Sequence, residues 1–317
     1  MAFALATARS FASLLVVEER AIPLASAGES RSLPELLEDW EAAYPALEAI
    51  TSDEERWRNA PLLATMELAA PYIPRQVFCT GANYRKHVIG LIMGDPSMRG
   101  PGPQSETVEE RRARAERMMD ERAKADLPYC FIKLPSCVIG PRDDVVLPRN
   151  VAKPDWELEL GVVIGKRARH VKAADAMRHV AGYAVVNDVT ARDHIFRRGA
   201  SAIGADWLSG KCFPTFLPFG PFIVPRQFVA DPYNLTITLS VNGVVYQNET
   251  TADMMIGIER QIEFLSDRVE LLPGDLICTG SPYGNGAVFG VFLNPADLIE
   301  GSITGLGMQR NVCVAED

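Results

Sequence analysis

KPDWELELGVVIG, residues 153–165, is the most informative stretch of this 317-residue chain. Side chains two positions apart in a β-strand share a face, so Glu157 and Glu159 point the same way while the apolar residues between and after them point the other way. Burying two ionised carboxylates in such an apolar run is costly unless a cation neutralises them. The alternative is that both carboxylates face water on an exposed edge strand. The spacing alone leaves both interpretations open.

A second apolar run, AGYAVVND at 181–188, ends in another carboxylate. Asp188 is therefore a candidate third ligand for the same cation. Three carboxylates, with the remaining coordination positions left to water and substrate, suit Mg²⁺, Mn²⁺ or Ca²⁺ rather than Zn²⁺.

Short apolar runs separated by Gly and Pro make up most of the chain from about residue 75 onward. These runs predict β-strands, and their succession predicts a β-rich α+β fold, not an alternating βαβ array. The strongest hairpin signal is Asn242-Gly243, between LTITLSV and VVYQNET. MMIGIERQIEFLSDRV, which follows Asp253, predicts an amphipathic helix.

Composition and charge exclude several classes of protein. With 47% hydrophobic and 23% charged residues, the chain is of the folded globular type and is neither disordered nor collagen-like. A net charge of −9 and a pI near 5.1 argue against nucleic acid as the main partner. No stretch approaches the ~18 consecutive apolar residues of a membrane span. The six scattered cysteines lack metal-type spacing, as expected for reduced thiols in a cytoplasmic protein.

The first 73 residues differ from the rest in charge. They carry 12 acidic and 5 basic side chains, whereas residues 74–317 are close to neutral. Closely spaced prolines at 71 and 74 disfavour a continuous helix, and they mark the predicted boundary between a small N-terminal α+β domain (1–73) and the main domain (74–317). In the first domain, FASLLVVEERAIPL predicts two short strands, and Ser32 with Glu35 has the spacing of a capping box at a helix start.

Residues 94–128 have a different character, with a Gly- and Pro-rich start followed by a charged helical pattern. Glu110 and Arg114 stand at i,i+4, the favourable orientation for a helix pair. The thin apolar stripe favours a solvated helical insertion. The alternative is a lid over a functional site, because long insertions beside catalytic loops often have that role and His87 lies just upstream.

Seven motifs follow one another between roughly residues 75 and 313: TGANYRKH, FIKLPSCVIGP, DWELELGVVIG, GYAVVNDVTARD, SGKCFPTFLPFGPFIV, LPGDLICTGSPYGNG and EGSITGLGMQRN. Together they resemble the fumarylacetoacetate hydrolase family, in the manner of a bacterial catabolic member. The resemblance implies a mixed β-sandwich or roll catalytic domain and a homodimer. It also implies a bound Mg²⁺ (or Mn²⁺ or Ca²⁺) and a small anionic 2-oxo acid as substrate.

The resemblance assigns roles position by position. The family's metal-binding E-x-E pair falls on Glu157 and Glu159, and its third metal-binding carboxylate falls on Asp188, which favours the buried-cation interpretation. The other matched positions are catalytic or meet the substrate: His87 of N-Y-x-x-H, Arg192 of TARD, Lys211 of GK-x-F-x-T, and Thr279 and Ser281 of TG-[ST]-P.

Two further residues are placed on the substrate side of the site. Lys133, in FIKLP, is interpreted as a partner of the carboxylates, the alternative being a surface lysine. Tyr84, with Asn83, is expected to fix the entrance to the His87 segment. GSPYGNG at 280–286 lacks the spacing of a dinucleotide fingerprint, and its glycines are expected to let backbone N–H groups approach a carboxylate.

Two positions depart from the family pattern. Hydrolases of the family often place a glutamate three residues after the catalytic histidine, where this chain has Gly90. They also often place a glutamine three residues after the TARD arginine, where this chain has Ile195. Either the missing carboxylate comes from elsewhere, with Glu106 and Glu109 of the insertion as candidates, or the water is activated differently.

The leading hypothesis is a metal-dependent hydrolase that cleaves a C–C bond of a 2,4-dioxo acid and releases pyruvate plus a carboxylic acid. The substrate would be an acylpyruvate or a dioxo sugar acid such as 2,4-didehydro-3-deoxy-L-rhamnonate. His87 would act as general base, and Lys211 or Arg192 would stabilise charge on oxygen.

The alternative on the same metal site is a lyase or isomerase of a 2-oxo acid. This class includes a sugar-acid dehydratase, a hydratase, a decarboxylase and a keto–enol isomerase. A non-catalytic metal-binding protein is a third hypothesis, and the presence of His87 together with the ligand set argues against it.

Overall fold

The structure of the protein is a computed structural model that describes residues 1–94, 106–125, 127–196 and 203–317. Within these ranges a central sheet has a second large sheet on one face and an N-terminal unit on the other. The fold is mixed α+β and rich in β-structure, as the sequence predicts.

The strands, in chain order, are β1 (Ala4–Ala8), β2 (Ser13–Val17), β3 (Arg20–Pro23), β4 (Leu68–Ala69), β5 (Val77–Gly81), β6 (Tyr129–Lys133), β7 (Val138–Ile139), β8 (Val145–Leu147), β9 (Pro154–Asp155), β10 (Leu158–Ile164), β11 (Val180–Asn187), β12 (Thr190–Ala191), β13 (Leu217–Pro218), β14 (Val224–Pro225), β15 (Thr236–Val241), β16 (Val244–Thr250), β17 (Leu276–Cys278), β18 (Leu298–Ile303) and β19 (Gly307–Ala315). The helices are α1 (Leu33–Glu38), α2 (Trp40–Thr51), α3 (Glu54–Arg58), α4 (Arg85–Gly94), α5 (Val108–Ala125), α6 (Ala173–Ala176), α7 (Arg192–Ile195), α8 (Trp207–Lys211), α9 (Ile258–Arg268) and α10 (Gly286–Phe289).

The central sheet has the strand order β14-β11-β10-β17-β5-β6, and all its neighbours are antiparallel except β17 and β5. Every residue of β10 and β11 is buried, because both faces of the sheet are covered. Leu158, Leu160 and Val162 face the core shared with the second sheet, and Val163 faces the core shared with the N-terminal unit. The alternation predicted for this strand is therefore confirmed.

The second sheet has the order β16-β15-β18-β19-β8 and covers one face of the central sheet. Its β15–β16 hairpin turns at Asn242 and Gly243, with φ values of 52° and 79°. Two successive positive φ angles are those of a type I′ turn, which Asn-Gly adopts at little cost. The predicted hairpin is confirmed.

The N-terminal unit is a four-stranded sheet of order β3-β2-β1-β4 with helices α1 to α3. Ser32 precedes α1, and its backbone N–H donates to the Glu35 carboxylate over 2.7 Å, so the predicted capping box is present. The amphipathic helix predicted to follow Asp253 instead begins at Ile258. Gly257 just before it is extended, and the Asp253 carboxylate accepts the Lys86 backbone N–H.

The part of the charged insertion that the structure describes includes α5, which packs on α4. Ala115 and Met119 of α5 share a small apolar cluster with Val88, Ile89 and Ile92 of α4. The predicted charged helix is therefore present, and residues 95–105 and 126 of the insertion lie outside the described ranges. No helix in the described part of the chain is long and apolar enough to cross a membrane.

Candidate functional site

Two neighbouring strands of the central sheet position the three predicted metal ligands. Glu157 directly precedes β10, Glu159 lies in it, and Asp188 directly follows β11, its antiparallel partner. The Asp188 backbone N–H donates to the Glu157 carbonyl over 2.8 Å. One oxygen from each carboxylate lies within 4.8 Å of the others. All three side chains are buried, because β10 lies between β11 and β17, so the exposed-edge alternative is wrong.

Three cationic side chains converge on these carboxylates. Lys211 Nζ donates to Glu157 Oε2 and, over 2.5 Å, to Asp188 Oδ2. Lys133 Nζ lies 2.7 Å from Asp188 Oδ1, and Arg192 Nη2 donates to Glu157 Oε1 over 2.5 Å. Lys133 is therefore a buried partner of the carboxylates and not a surface lysine.

The pairing keeps most of these groups charged although they are buried. Burial alone would raise the pKa of Glu157, but the charges of Arg192 and Lys211 outweigh it and hold that pKa well below the usual range. In the same way, burial opposes the charge on Lys211, but Asp188 and Glu157 raise its pKa above the ordinary value. The site is thus a compact network of ion pairs.

Glu159 is the least compensated carboxylate of the three. Burial raises its pKa well above the ordinary value, and the nearby charge of Asp188 adds to the rise. Its side chain accepts one hydrogen bond, from the Gly280 backbone N–H over 2.8 Å. A divalent cation with oxygen ligands would balance the negative charge of Glu159 and so favour its ionised form. The donor set therefore fits such a cation.

His87 lies on α4, buried beside this network. Burial lowers the pKa of His87 to about 4; the Glu157 carboxylate opposes this shift, and the charges of Arg192 and Lys211 add to it. The ring is therefore neutral near neutral pH. Its Nδ1 has no hydrogen-bond partner within the described ranges.

The position three residues after His87 is closed by an aromatic ring. A Cβ added to Gly90 would lie 2.7 Å from Cε2 of Tyr283, so this ring occupies the space that a glutamate side chain would need. Glu106 pairs with Arg114 of its own segment over 2.8 Å, and Glu109 faces solvent. The expectation that the insertion replaces the missing glutamate is therefore wrong for both candidates in this structure.

The segment after β17 reaches the site from another side. Thr279 Oγ1 donates to the Leu160 carbonyl over 2.9 Å, and Ser281 Oγ accepts from Asn285 Nδ2 over 3.3 Å. Tyr84 is fully buried, and burial raises the pKa of its hydroxyl. The three hydroxyl residues predicted on the substrate side thus lie around the carboxylates, and protein groups already engage the hydroxyls of Thr279 and Ser281.

Two residues of the site were missed by sequence reasoning. Asp155 accepts from Arg192 Nε over 2.7 Å and from the Gly286 backbone N–H over 2.6 Å. Asn285 Nδ2 donates to Glu157 Oε1 over 3.1 Å. The signal for Asp155 was available, because it stands two residues before Glu157 in the same alternating pattern. The GSPYGNG glycines do bring N–H groups to carboxylates, and these carboxylates belong to the protein itself.

Comparison with known proteins identifies the family of this chain. The family model described as fumarylacetoacetate (FAA) hydrolase C-terminal matches residues 76–314. The human mitochondrial oxaloacetate tautomerase FAHD2B is 47% identical over 190 residues, which are 59% of this chain and 59% of that protein. The chain therefore spans less than two thirds of the length of this relative.

Solved structures match over nearly the whole chain. A probable 2-hydroxyhepta-2,4-diene-1,7-dioate isomerase from Mycobacterium abscessus is 28% identical, with a TM-score of 0.77 and full coverage of both chains. Maleylpyruvate hydrolase from Sphingobium sp. SYK-6, solved with manganese(II) and pyruvate, is 25% identical, with a TM-score of 0.73 and coverage of 99% of this chain and 100% of that one. Isomerases, hydrolases and tautomerases thus share this fold. The chain belongs to the fumarylacetoacetate hydrolase family.

Proposed function

We propose that the protein is a metal-dependent keto–enol tautomerase of a short 2-oxo dicarboxylic acid, with oxaloacetate as the first substrate to test. The observation that carries this proposal is the state of His87, a buried neutral imidazole with no carboxylate three residues away. Tautomerisation moves one proton and needs no activated water, so it does not require a His–Glu pair.

Glu157, Glu159 and Asp188 would hold the cation. When bound, a divalent cation there supplies Lewis acidity that polarises the 2-oxo group of the substrate. We propose Mg²⁺ as the resident ion, with Mn²⁺ or Ca²⁺ as alternatives, because all three accept carboxylate oxygens. The ligand set supports this class of ion and leaves the choice among its members to experiment.

The protein's own residues would bind the substrate and move its proton. Among the described residues, four carboxylates, those of Asp155, Glu157, Glu159 and Asp188, face three cations in this network. A dication would leave these groups one positive charge in excess, which suits an anionic substrate. Arg192 and Lys211 would orient the substrate carboxylate and oxo group.

His87 would carry the proton. Because its ring is neutral near neutral pH, it can take a proton from C3 of the keto acid while negative charge develops on the C2 oxygen. The imidazolium formed next to the Glu157 carboxylate would be stabilised by that charge, and it would then return the proton to the C2 oxygen to give the enol. The reverse sequence gives the keto form.

The similarity to the human oxaloacetate tautomerase supports this choice of substrate, because 190 residues of this chain are 47% identical to that protein. A homodimer is proposed from the family resemblance, and a cytoplasmic location from the six scattered free cysteines. Size-exclusion chromatography with light scattering tests the dimer, which predicts twice the 34.8 kDa mass of one chain.

The first test follows the loss of the ultraviolet absorbance of enol-oxaloacetate with Mg²⁺ or Mn²⁺ and after chelation. We expect saturable catalysis that is lost with chelator and restored by the metal. Glu159→Gln should weaken metal affinity by about 10²-fold or more, because it removes a proposed direct ligand. Glu300→Gln, on β18 away from the cluster, is the matched control and should leave affinity unchanged. Turnover that persists without metal would contradict the proposal.

The second test removes the proposed proton carrier. His87→Asn should lower kcat by ~10²–10⁴-fold while metal affinity stays unchanged, because His87 is not among the proposed ligands. Isothermal titration with Mn²⁺ measures the affinity and absorbance kinetics measure kcat. An unaffected kcat in this variant would exclude His87 from the mechanism.

A second candidate function is C–C hydrolysis of a 2,4-dioxo acid, the hypothesis that led from the sequence. It is favoured by the likeness to maleylpyruvate hydrolase with its bound pyruvate, and a neutral His87 can also accept a proton from water. Coupled detection of pyruvate from acylpyruvates and 2,4-didehydro-3-deoxy-L-rhamnonate tests it. Pyruvate release that is faster than oxaloacetate tautomerisation would make hydrolysis the main activity.

A further inference from the structure

Two cysteines lie beside the lysines of the site, and the proposed reaction uses neither. Cys212 directly follows Lys211 at the end of α8. Cys137 closes the short turn, Pro135–Cys137, that follows β6 and its Lys133. Cys137 is fully buried, Cys212 is partly exposed, and both are free thiols.

Each thiol reaches the chain segment that carries the other. Cys137 Sγ lies 4.0 Å from the carbonyl oxygen of Lys211, and Cys212 Sγ lies 3.7 Å from the carbonyl oxygen of Ile132. Each thiol also affects the ionisation of the other, which lowers the pKa of Cys212 and raises that of Cys137. Cys212 is therefore the more reactive nucleophile of the pair, because the thiolate is the reactive form.

We propose that Cys137 and Cys212 are a redox-sensitive pair that closes to a disulfide in the presence of a hydroperoxide and thereby weakens cation binding at the carboxylate site. The inference rests on the juxtaposition of two thiols on the segments that carry Lys133 and Lys211. It adds a modification site to the proposed function.

The oxidation proceeds in two balanced steps with hydrogen peroxide as the oxidant. The Cys212 thiolate attacks one peroxide oxygen, the O–O bond breaks, and Cys212 sulfenic acid forms while the released hydroxide takes a proton to become water. The Cys137 sulfur then attacks the Cys212 sulfur, the S–O bond breaks, and the hydroxide that leaves takes the Cys137 proton as a second water. Two thiols lose two electrons in total, and the peroxide gains them.

The crosslink would disturb the lysines because the sulfur atoms must approach to about 2.05 Å, far closer than a contact between free thiols. The Lys211 backbone adjoins Cys212, and its Nζ bridges Glu157 and Asp188. Displacing a residue that orients metal ligands costs about 10- to 100-fold in metal affinity. We expect a loss of this size on oxidation, reversed by dithiothreitol.

The test uses the full chain treated with hydrogen peroxide, and it has two readouts that do not depend on any substrate. Peptide mass spectrometry under non-reducing conditions should identify the Cys137–Cys212 crosslink. Titration with Mn²⁺ should show the lower affinity and its recovery with reductant. A protein that binds Mn²⁺ but shows no catalysis would contradict the proposed function and leave the disulfide inference standing on these readouts.

Variants separate the pair from other thiols. Cys212→Ser should abolish the crosslink and make Mn²⁺ affinity insensitive to peroxide, and Cys137→Ser should do the same. Cys130→Ser, outside the pair, should keep both the crosslink and the sensitivity. Oxidation of Cys212 without a crosslink, or a crosslink that leaves Mn²⁺ affinity unchanged, would overturn the proposal.

Discussion

Asp275 is a buried carboxylate directly before β17, outside the ion-pair network of the candidate site. Its Oδ2 accepts hydrogen bonds from the Leu272 backbone N–H and from Gln76 Nε2, both over 2.7 Å. Its Oδ1 has no hydrogen-bond partner in the part of the chain that the structure describes. Burial accordingly raises the pKa of Asp275 from 3.8 to about 6. The charged form is therefore disfavoured in the folded protein.

This shift makes a prediction for stability against pH. Because the folded pKa exceeds the unfolded value, the favourable contribution of protonated Asp275 is complete below about pH 3.8 and is lost as pH rises through about 6. Asp275→Asn cannot ionise, so its stability relative to the wild type should rise by about 2 kcal/mol between pH 4 and pH 7. Urea unfolding of both proteins across this range measures the difference.

The control for this prediction is Asp175→Asn, at an exposed carboxylate paired with Arg178. Its stability difference from the wild type should change by less than about 1 kcal/mol over the same range. A pH-independent difference between Asp275→Asn and the wild type would show that Asp275 ionises normally in the folded protein.

At the residue scale, the sequence predicted the side chains whose positions follow from the strict alternation of a strand or from a motif. Glu157 and Glu159 follow from the two-residue period of a strand. Asn285 and the ring of Tyr283 could not be placed, because their positions depend on how the segment after β17 folds back against β10 and α4. That fold-back is a tertiary property with no local periodicity.

At the element scale, α5 affects the site through α4. Met119 of α5 is buried against α4, which carries His87, and Arg85 of α4 donates to the Asp120 carboxylate over 2.9 Å. This packing is consistent with either an ordinary insertion or a lid. The lid alternative for the insertion therefore depends on whether the packing of α5 on α4 matters for catalysis.

The adjacent methionines of α5 allow a matched test. Met119 is 1% exposed and Met118 is 38% exposed, so Met119→Lys buries a charge while Met118→Lys leaves it in water. We expect Met119→Lys to lose about 3 kcal/mol of local stability, to become sensitive to trypsin within 106–125, and to lower kcat/KM. Met118→Lys should change none of these.

Two results would decide the role of α5. If Met119→Lys becomes sensitive to trypsin but keeps its full kcat/KM, the insertion is not a lid. If both lysine variants behave alike, the packing of α5 on α4 determines neither the sensitivity to trypsin nor kcat/KM. The comparison uses limited proteolysis followed by mass spectrometry, together with the tautomerase assay.

Elements with a local signal were predicted well, and those that depend on neighbours were not. The β15–β16 hairpin follows from Asn242-Gly243, because few other sequences favour two positive φ angles. The start of α9 was predicted too early. The residues after Asp253 have suitable helical periodicity, but the Asp253 carboxylate accepts a hydrogen bond from the α4 backbone and Gly257 just before the helix is extended.

At the scale of the whole molecule, the acidic N-terminal unit is packed into the main body. Leu5 of β1 exchanges two backbone hydrogen bonds with Ile223, over 2.9 and 2.8 Å. Trp40 lies so close to Gly165 that a Cβ there would be 3.1 Å from Cδ1 of the indole ring. Two of its glutamates also pair with basic residues of the body, Glu41 with Lys166 and Glu38 with Arg75.

The apolar core makes this connection stronger than the surface ion pairs do, because exposed pairs contribute little. Leu36, Leu37 and Trp40 share one cluster with Val163 and Ala181 of the central sheet. The boundary predicted at Pro71–Pro74 separates two parts of different charge, and both parts contribute side chains to this one apolar cluster. Charge composition reports on the surface and therefore could not predict this core.

Removing residues 1–73 tests whether the predicted domains are independent. The truncated protein, residues 74–317, would expose the apolar face of the central sheet that the N-terminal unit covers, so we expect it to aggregate or to lose its cooperative unfolding transition. In the full chain, Trp40→Ala should lower the free energy of unfolding by about 3–5 kcal/mol within one transition. Differential scanning calorimetry and Mn²⁺ titration measure both proteins. A truncated protein that unfolds cooperatively and binds Mn²⁺ with full affinity would establish instead that the main domain, with its carboxylate site, is complete without the first 73 residues.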